Sequence, residues 1–118
     1  MDRLADAWRD HRAPHLVTVL DGRAHVVPVG VDVAGGAFRI DAPGRRARAG
    51  LARNPQVTLV WSPYDDGGYS LIVDGTAELD GDVLLVSPTR AVLHRPGAPS
   101  APGGSCGADC VELDPTLP

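Results

Sequence analysis

FRIDAPGRRARAGLARNPQVTLVW, residues 38–61, reads as strand, short helix, strand. Asp41 is placed to cap the free amides of the helix, and Pro43 suits its first turn. Asn54-Pro55 stops it, because proline cannot continue a helix and pushes the residue before it out of helical angles. Arg45, Arg46 and Arg48 crowd the N-terminal turn, where the helix macrodipole is already positive. That arrangement opposes helix stability unless an anion is received there. Backbone amides and guanidinium forks together make a phosphate receptor. The alternative is an ordinary solvated basic patch.

The rest of the chain reads as strands joined by glycine turns. Residues 2–11 predict a short helix with Leu4, Ala7, Trp8 and His11 on one side. His15–Leu20, Asp21-Gly22 and Arg23 onward form a strong hairpin signal. The second strand is expected to run to Val33, with Val27, Val29, Val31 and Val33 on one face. Gly35-Gly36 turns the chain into Ala37–Asp41. After the helix come Gln56–Trp61 and Tyr69–Leu79, the latter with Leu71, Val73, Ala77 and Leu79 facing one way. Gly75 in its middle predicts a bulge or a close approach. Asp80-Gly81-Asp82 turns into Val83–Val86, Ser87-Pro88 is expected to break the strand, and Thr89–His94 resumes it as strand or helix.

The fold class that follows is mostly β. It is a six- to seven-stranded antiparallel split barrel with one short crossover helix and an N-terminal helix. Residues 1–96 form the domain. Residues 97–118 are expected to be a Pro/Gly-rich tail, with Cys110–Leu113 either a last short strand or disordered. Apolar residues on both faces of some strands, such as Val17, Val19 and Ile72, suggest a partner subunit.

With 118 residues, the chain has the size of one domain. Its net charge of −4 argues against nucleic acid as a partner. All eleven basic residues are arginine. There is no signal-like or membrane-length apolar run, so a cytoplasmic protein is expected. The two cysteines, Cys106 and Cys110, are too few for a zinc site and read as reduced thiols.

The blocks GRAHVVPVGV (22–31), APGRRARAGLARNPQVTLVW (42–61), YSLIVDGTAEL (69–79) and SPTRAVLH (87–94) resemble the flavin-binding split-barrel family. That family is typified by pyridoxamine 5′-phosphate oxidase and its deazaflavin-using relatives. The resemblance implies a homodimer with a cofactor site at the subunit interface, holding FMN or alternatively F420. It implies that His25, Val26, Val27 and Pro28 line the flavin ring. Asp41, Ala42, Arg45, Arg46 and Arg48 hold the phosphate, and Ser70 contributes from the other subunit. Where the family commonly carries two lysines, this chain has Gly30 and Ala47. The late residues that grip pyridoxamine phosphate have no match, so that oxidase activity is not expected. The implied function is an FMN- or F420-dependent oxidoreductase acting on a small organic substrate. The alternative is a non-enzymatic flavin or haem carrier, or a scaffold whose cofactor site has decayed. No catalytic residue stands out, and no metal, nucleic acid or membrane partner is expected.

Overall fold

The computed structural model describes residues 2–96 and 108–118. Helix α1 (Leu4–Ala7) continues as a 3₁₀ turn over Trp8–Asp10. The strands are β1 (His15–Leu20), β2 (Arg23–Pro28), β3 (Asp32–Ala34) and β4 (Ala37–Asp41), followed by helix α2 (Arg45–Arg53). Then come β5 (Gln56–Trp61), β6 (Ser70–Asp80), β7 (Val83–Pro96) and β8 (Ala108–Leu113). All eight strands share one antiparallel sheet with the path β2-β1-β5-β6-β7-β4-β3, and β8 adds to β7. The fold is the expected antiparallel split β-barrel, with more strands than the six or seven predicted.

The glycine turns act as the sequence implies. Asp21 and Gly22 have φ +53 and +76, the left-handed pair that a two-residue hairpin needs between Leu20 and Arg23. The inner face of the sheet then collects Leu16, Phe38, Ile40, Leu59, Leu71, Val73, Leu84 and Val86, all fully buried. Leu4 and Ala47 close the core from the two helices. Phe38 sits edge-on to Trp8, with ring centroids 5.8 Å apart, and lies 5.1 Å from Trp61.

Three local expectations are corrected. Asp41 does not cap α2. It ends β4 opposite Val83, and its carboxylate accepts from Arg39 Nε at 3.2 Å. Ala42 (φ +49) and Gly44 (φ +96) swing the chain away, and Gly44 becomes the N-cap with no side-chain bond to the amides. The strand expected over Arg23–Val33 divides in two at Pro28. Proline has no N–H for the ladder, and the chain keeps only one more backbone bond, Val29 N to Pro14 O at 3.0 Å.

Ser87-Pro88 does not break β7. Gly75 lies opposite Pro88 and Asp74 opposite Arg90, so Thr89 is the extra residue of a bulge. A Cβ at position 75 would lie 2.7 Å from both the Ser87 carbonyl oxygen and Val86 Cγ1, which is why a glycine stands there. The bulge lets a proline occupy a central strand.

The last point concerns the expected tail, where the last short strand at Cys110–Leu113 is found and begins two residues earlier. Residues 108–113 are β8, in register with β7 from Ala91↔Leu113 to Pro96↔Ala108. Leu113 and Leu117 are buried in the core. Leu4 N donates to Asp114 O, Asp114 N to Asp2 O, and Gly36 N to Pro118 O, each at 2.9 Å. Cys110 lies exposed on β8, and Cys106 falls outside the described residues.

Candidate functional site

Alternation along β2 puts Arg23, His25 and Val27 on one face. That face meets α2, which lies across β1 with Gly50 against Thr18. A Cβ at Gly50 would come within 3.2 Å of the Val19 carbonyl oxygen. The helix turns Ala47, Gly50 and Leu51 inward to the core. Arg46, Ala49 and Arg53 follow at helical spacing along the flank beside the hairpin.

Between helix and strand lies a groove made of two adjoining cavities. The first, about 650 Å³, is lined by His25, Val27, Pro43, Gly44, Arg45, Arg46 and Ala49. The second, about 480 Å³, shares His25 and Arg46 and continues to Arg23 and Asp21 at the hairpin tip. At its far end Arg53 pairs with Asp21 at 3.8 Å.

A census of the arginines marks this groove as unusual. Arg3, Arg39, Arg48, Arg53, Arg90 and Arg95 each pair with a carboxylate. Arg9 lies over the Trp8 ring, and Arg12 stacks on Tyr64 while donating to the Pro63 and Tyr64 carbonyls. Among the described residues, that leaves Arg23, Arg45 and Arg46 without a protein partner, and all three line the groove. Gly44 leaves the first amides of α2 without a side-chain acceptor at the same end. Uncompensated positive charge and free N–H groups converging on one concave surface have the chemistry to receive an anion.

The predicted site residues divide accordingly. His25, Val27, Arg45 and Arg46 come together in the groove. Val26 and Pro28 lie on the opposite face of β2, and Val26 is 54% exposed. Ala42 is in the turn before the helix, its N–H held by the Asp82 carbonyl oxygen at 3.0 Å. Asp41 is occupied with Arg39, as described. Arg48 points away, donating to the Gly81 carbonyl oxygen at 3.1 Å and lying 3.5 Å from Asp82. Ser70 begins β6, while α2 starts beside the Gly81-Asp82 turn at its other end. Along the strand that is about 30 Å within one chain.

Sequence reasoning missed Arg23, although its two-residue spacing from His25 and Val27 was the available signal. It also missed a cluster at the other end of the sheet. Tyr69 Oη donates to Asp109 Oδ2 at 2.6 Å, Arg95 Nε donates to the same oxygen at 3.0 Å, and the Arg95 guanidinium lies 4.4 Å over the Tyr69 ring. The hydrogen bond from Tyr69, reinforced by Arg95, holds the Asp109 carboxyl below the usual aspartate range. The same bond, with partial burial, holds the Tyr69 phenol above the usual tyrosine range. Asp109 follows a proline- and glycine-rich stretch, and nothing in the sequence ties it to Tyr69.

Two curated relatives, named as the uncharacterized proteins Mb0449c of Mycobacterium bovis and MT0457 of Mycobacterium tuberculosis, are each 40% identical over 130 aligned positions. In both cases the match covers 94% of this chain and 92% of the relative. The chain belongs to the family of these mycobacterial proteins. No family model matches it. Among the described residues, no helix is long and apolar enough to cross a membrane.

Proposed function

We propose that this family member binds a phosphorylated organic redox cofactor, FMN or alternatively F420, in the groove between α2 and β2. The reading is that it serves as an oxidoreductase on a small organic substrate. The observation that carries it is the convergence of unpartnered Arg45 and Arg46 on the uncapped start of α2. The groove fits such a ligand chemically. The amides at the start of α2 with Arg45 and Arg46 would hold the phosphate, and His25 and Val27 would line the ring. The cofactor supplies the hydride chemistry when bound; the chain supplies binding, orientation and a partly apolar wall.

A second copy completes the arrangement in this reading. The outer sheet face carries Val17, Val19, Val26, Val60 and Ile72, with Val19 39% and Val26 54% exposed. Covering that face is favourable, and in this reading Ser70 of the partner subunit, not this chain's own, takes part in the site. The competing reading, a scaffold or carrier without turnover, draws on Ala47. It takes a position where flavin-binding split barrels commonly carry lysine, and it is fully buried against the core.

The test is a fluorescence titration with FMN and F420 side by side, paired with sedimentation for the dimer. Binding of either, weakened in Arg46→Ala by about 1.5–3 kcal/mol, supports the reading. Failure of both to bind refutes it.

A further inference from the structure

The groove is longer than one phosphate needs. Its floor runs along β2 from Val27 to Arg23, about 13 Å of strand. Its wall is α2, nine residues from Arg45 to Arg53 and so also about 13 Å long. The two elements end together. The helix start stands over Val27, and the helix end reaches the hairpin tip through the Arg53–Asp21 pair. Anion-binding groups are not confined to one end. Arg45 and the free amides mark the start, Arg46 and His25 line both cavities, and Arg23 lines the far one.

From this spacing we infer that the groove has a second anionic subsite at the β1–β2 hairpin, built by Arg23 with Arg46. Its ligand is an elongated molecule bearing two anionic groups about 10 Å apart. The inference rests on the anion-binding reading of the α2 start and extends it. Arg23 has no carboxylate of its own among the described residues. The acid that lines this part of the groove, Asp21, pairs at 3.8 Å with Arg53 and not with Arg23. An anion at Arg23 therefore meets an uncompensated guanidinium. It also meets the Arg46 side chain, which stands between the two ends and serves both. The His25 ring gives this part of the groove a surface along which an uncharged spacer can lie.

The experiment uses two probes that differ in one phosphate: hexyl phosphate and hexamethylene bisphosphate, whose ends reach about the same separation. Affinities are measured calorimetrically at low ionic strength in the full chain. The bisphosphate is expected to bind at least tenfold more tightly than the monophosphate. In Arg23→Ala that ratio falls to about one. Arg23→Lys recovers part of it, and Arg90→Ala, which removes a positive charge elsewhere, keeps it. Equal affinities for the two probes in the unaltered protein overturn the second subsite while leaving the first intact. Binding of neither probe overturns both. A ratio that persists in Arg23→Ala removes Arg23 from the assignment.

Discussion

Replacing Leu117 with alanine separates a structural C-terminus from a trailing one. The Leu117 side chain is only 6% exposed and belongs to the same core cluster as Leu4 and Leu113. Truncating a leucine this buried to alanine removes about 2–5 kcal/mol from folding stability. The site lies near both chain ends, where neighbours relax more easily than in mid-sheet. The lower part of the range, about 2–3 kcal/mol, is therefore expected. Equilibrium urea unfolding reads this as a fall in midpoint of about 1–2 M with the slope unchanged. A thermal melt shows a drop of roughly 8–15 °C. Pro118→Ala, at an exposed neighbouring position whose backbone bond is kept, is the reference for non-specific effects of altering this segment. A loss below about 0.5 kcal/mol in Leu117→Ala, the range of surface substitutions, would show that residues 108–118 do not complete the core and would sink the assignment of β8.

Gly75→Ala is expected to destabilise by about 1–3 kcal/mol, because its Cβ meets the Ser87 carbonyl and Val86 at 2.7 Å; Gly30→Ala, with nothing within 4 Å, is the neutral comparison in the same unfolding assay. Arg46→Ala weakens FMN or F420 by roughly ten- to one-hundred-and-fifty-fold, whereas Arg48→Ala, engaged with the Gly81-Asp82 turn, leaves affinity within about threefold; equal losses in both would dissolve the distinction drawn between them. The Asp109 carboxyl is depressed by Tyr69 and then Arg95, and Asp114 by the Thr116 amide and hydroxyl, so both stabilise the fold above the ordinary aspartate range. That contribution is lost as pH falls through their lowered values. Hydrogen exchange should show β8 loosening before β5 on acidification, and Asp109→Asn should flatten that dependence. The Tyr69 phenol is raised by the same Asp109 bond, so its contribution holds below the ordinary tyrosine range and is lost as pH rises through its folded value; ultraviolet titration of Asp109→Asn should move one tyrosine back toward that range.

Most of the fold was legible because local signals agreed with one another. Asp21-Gly22 and Gly35-Gly36 name their turns through positive φ, and the period-two patterns of β5 and β6 point the same residues inward that the sheet buries. The misreadings came where a remote partner altered a local rule. Ser87-Pro88 carries a valid break signal, but Gly75 across the sheet absorbs it in a bulge. Asp41 has good capping chemistry, but Arg39 and the ladder to β7 claim it first. The composition of 97–118 reads as a tail, yet Leu113 and Leu117 supply the apolar contacts that seat residues 108–118. In the site, the arginine-rich turn was visible as charge. Which arginines are available was not, because that depends on Asp82, Asp21 and the Gly81 carbonyl, which only the fold brings near.

The hydrogen bonds linking Leu4, Asp114 and Asp2 carry a consequence for how the molecule is made. The first helix finds its backbone partner just after strand eight, so that bond cannot form until residues more than a hundred positions later have emerged. Up to that moment the amide of Leu4 and the apolar seat for Leu113 and Leu117 stand open, and closure must bring together ends separated by nearly the whole sequence. Such late, long-range closure makes folding slow relative to the quick local hairpins that precede it. A nascent chain halted before residue 108 would present an unfilled strand edge along β7, ready to pair with another copy held in the same state.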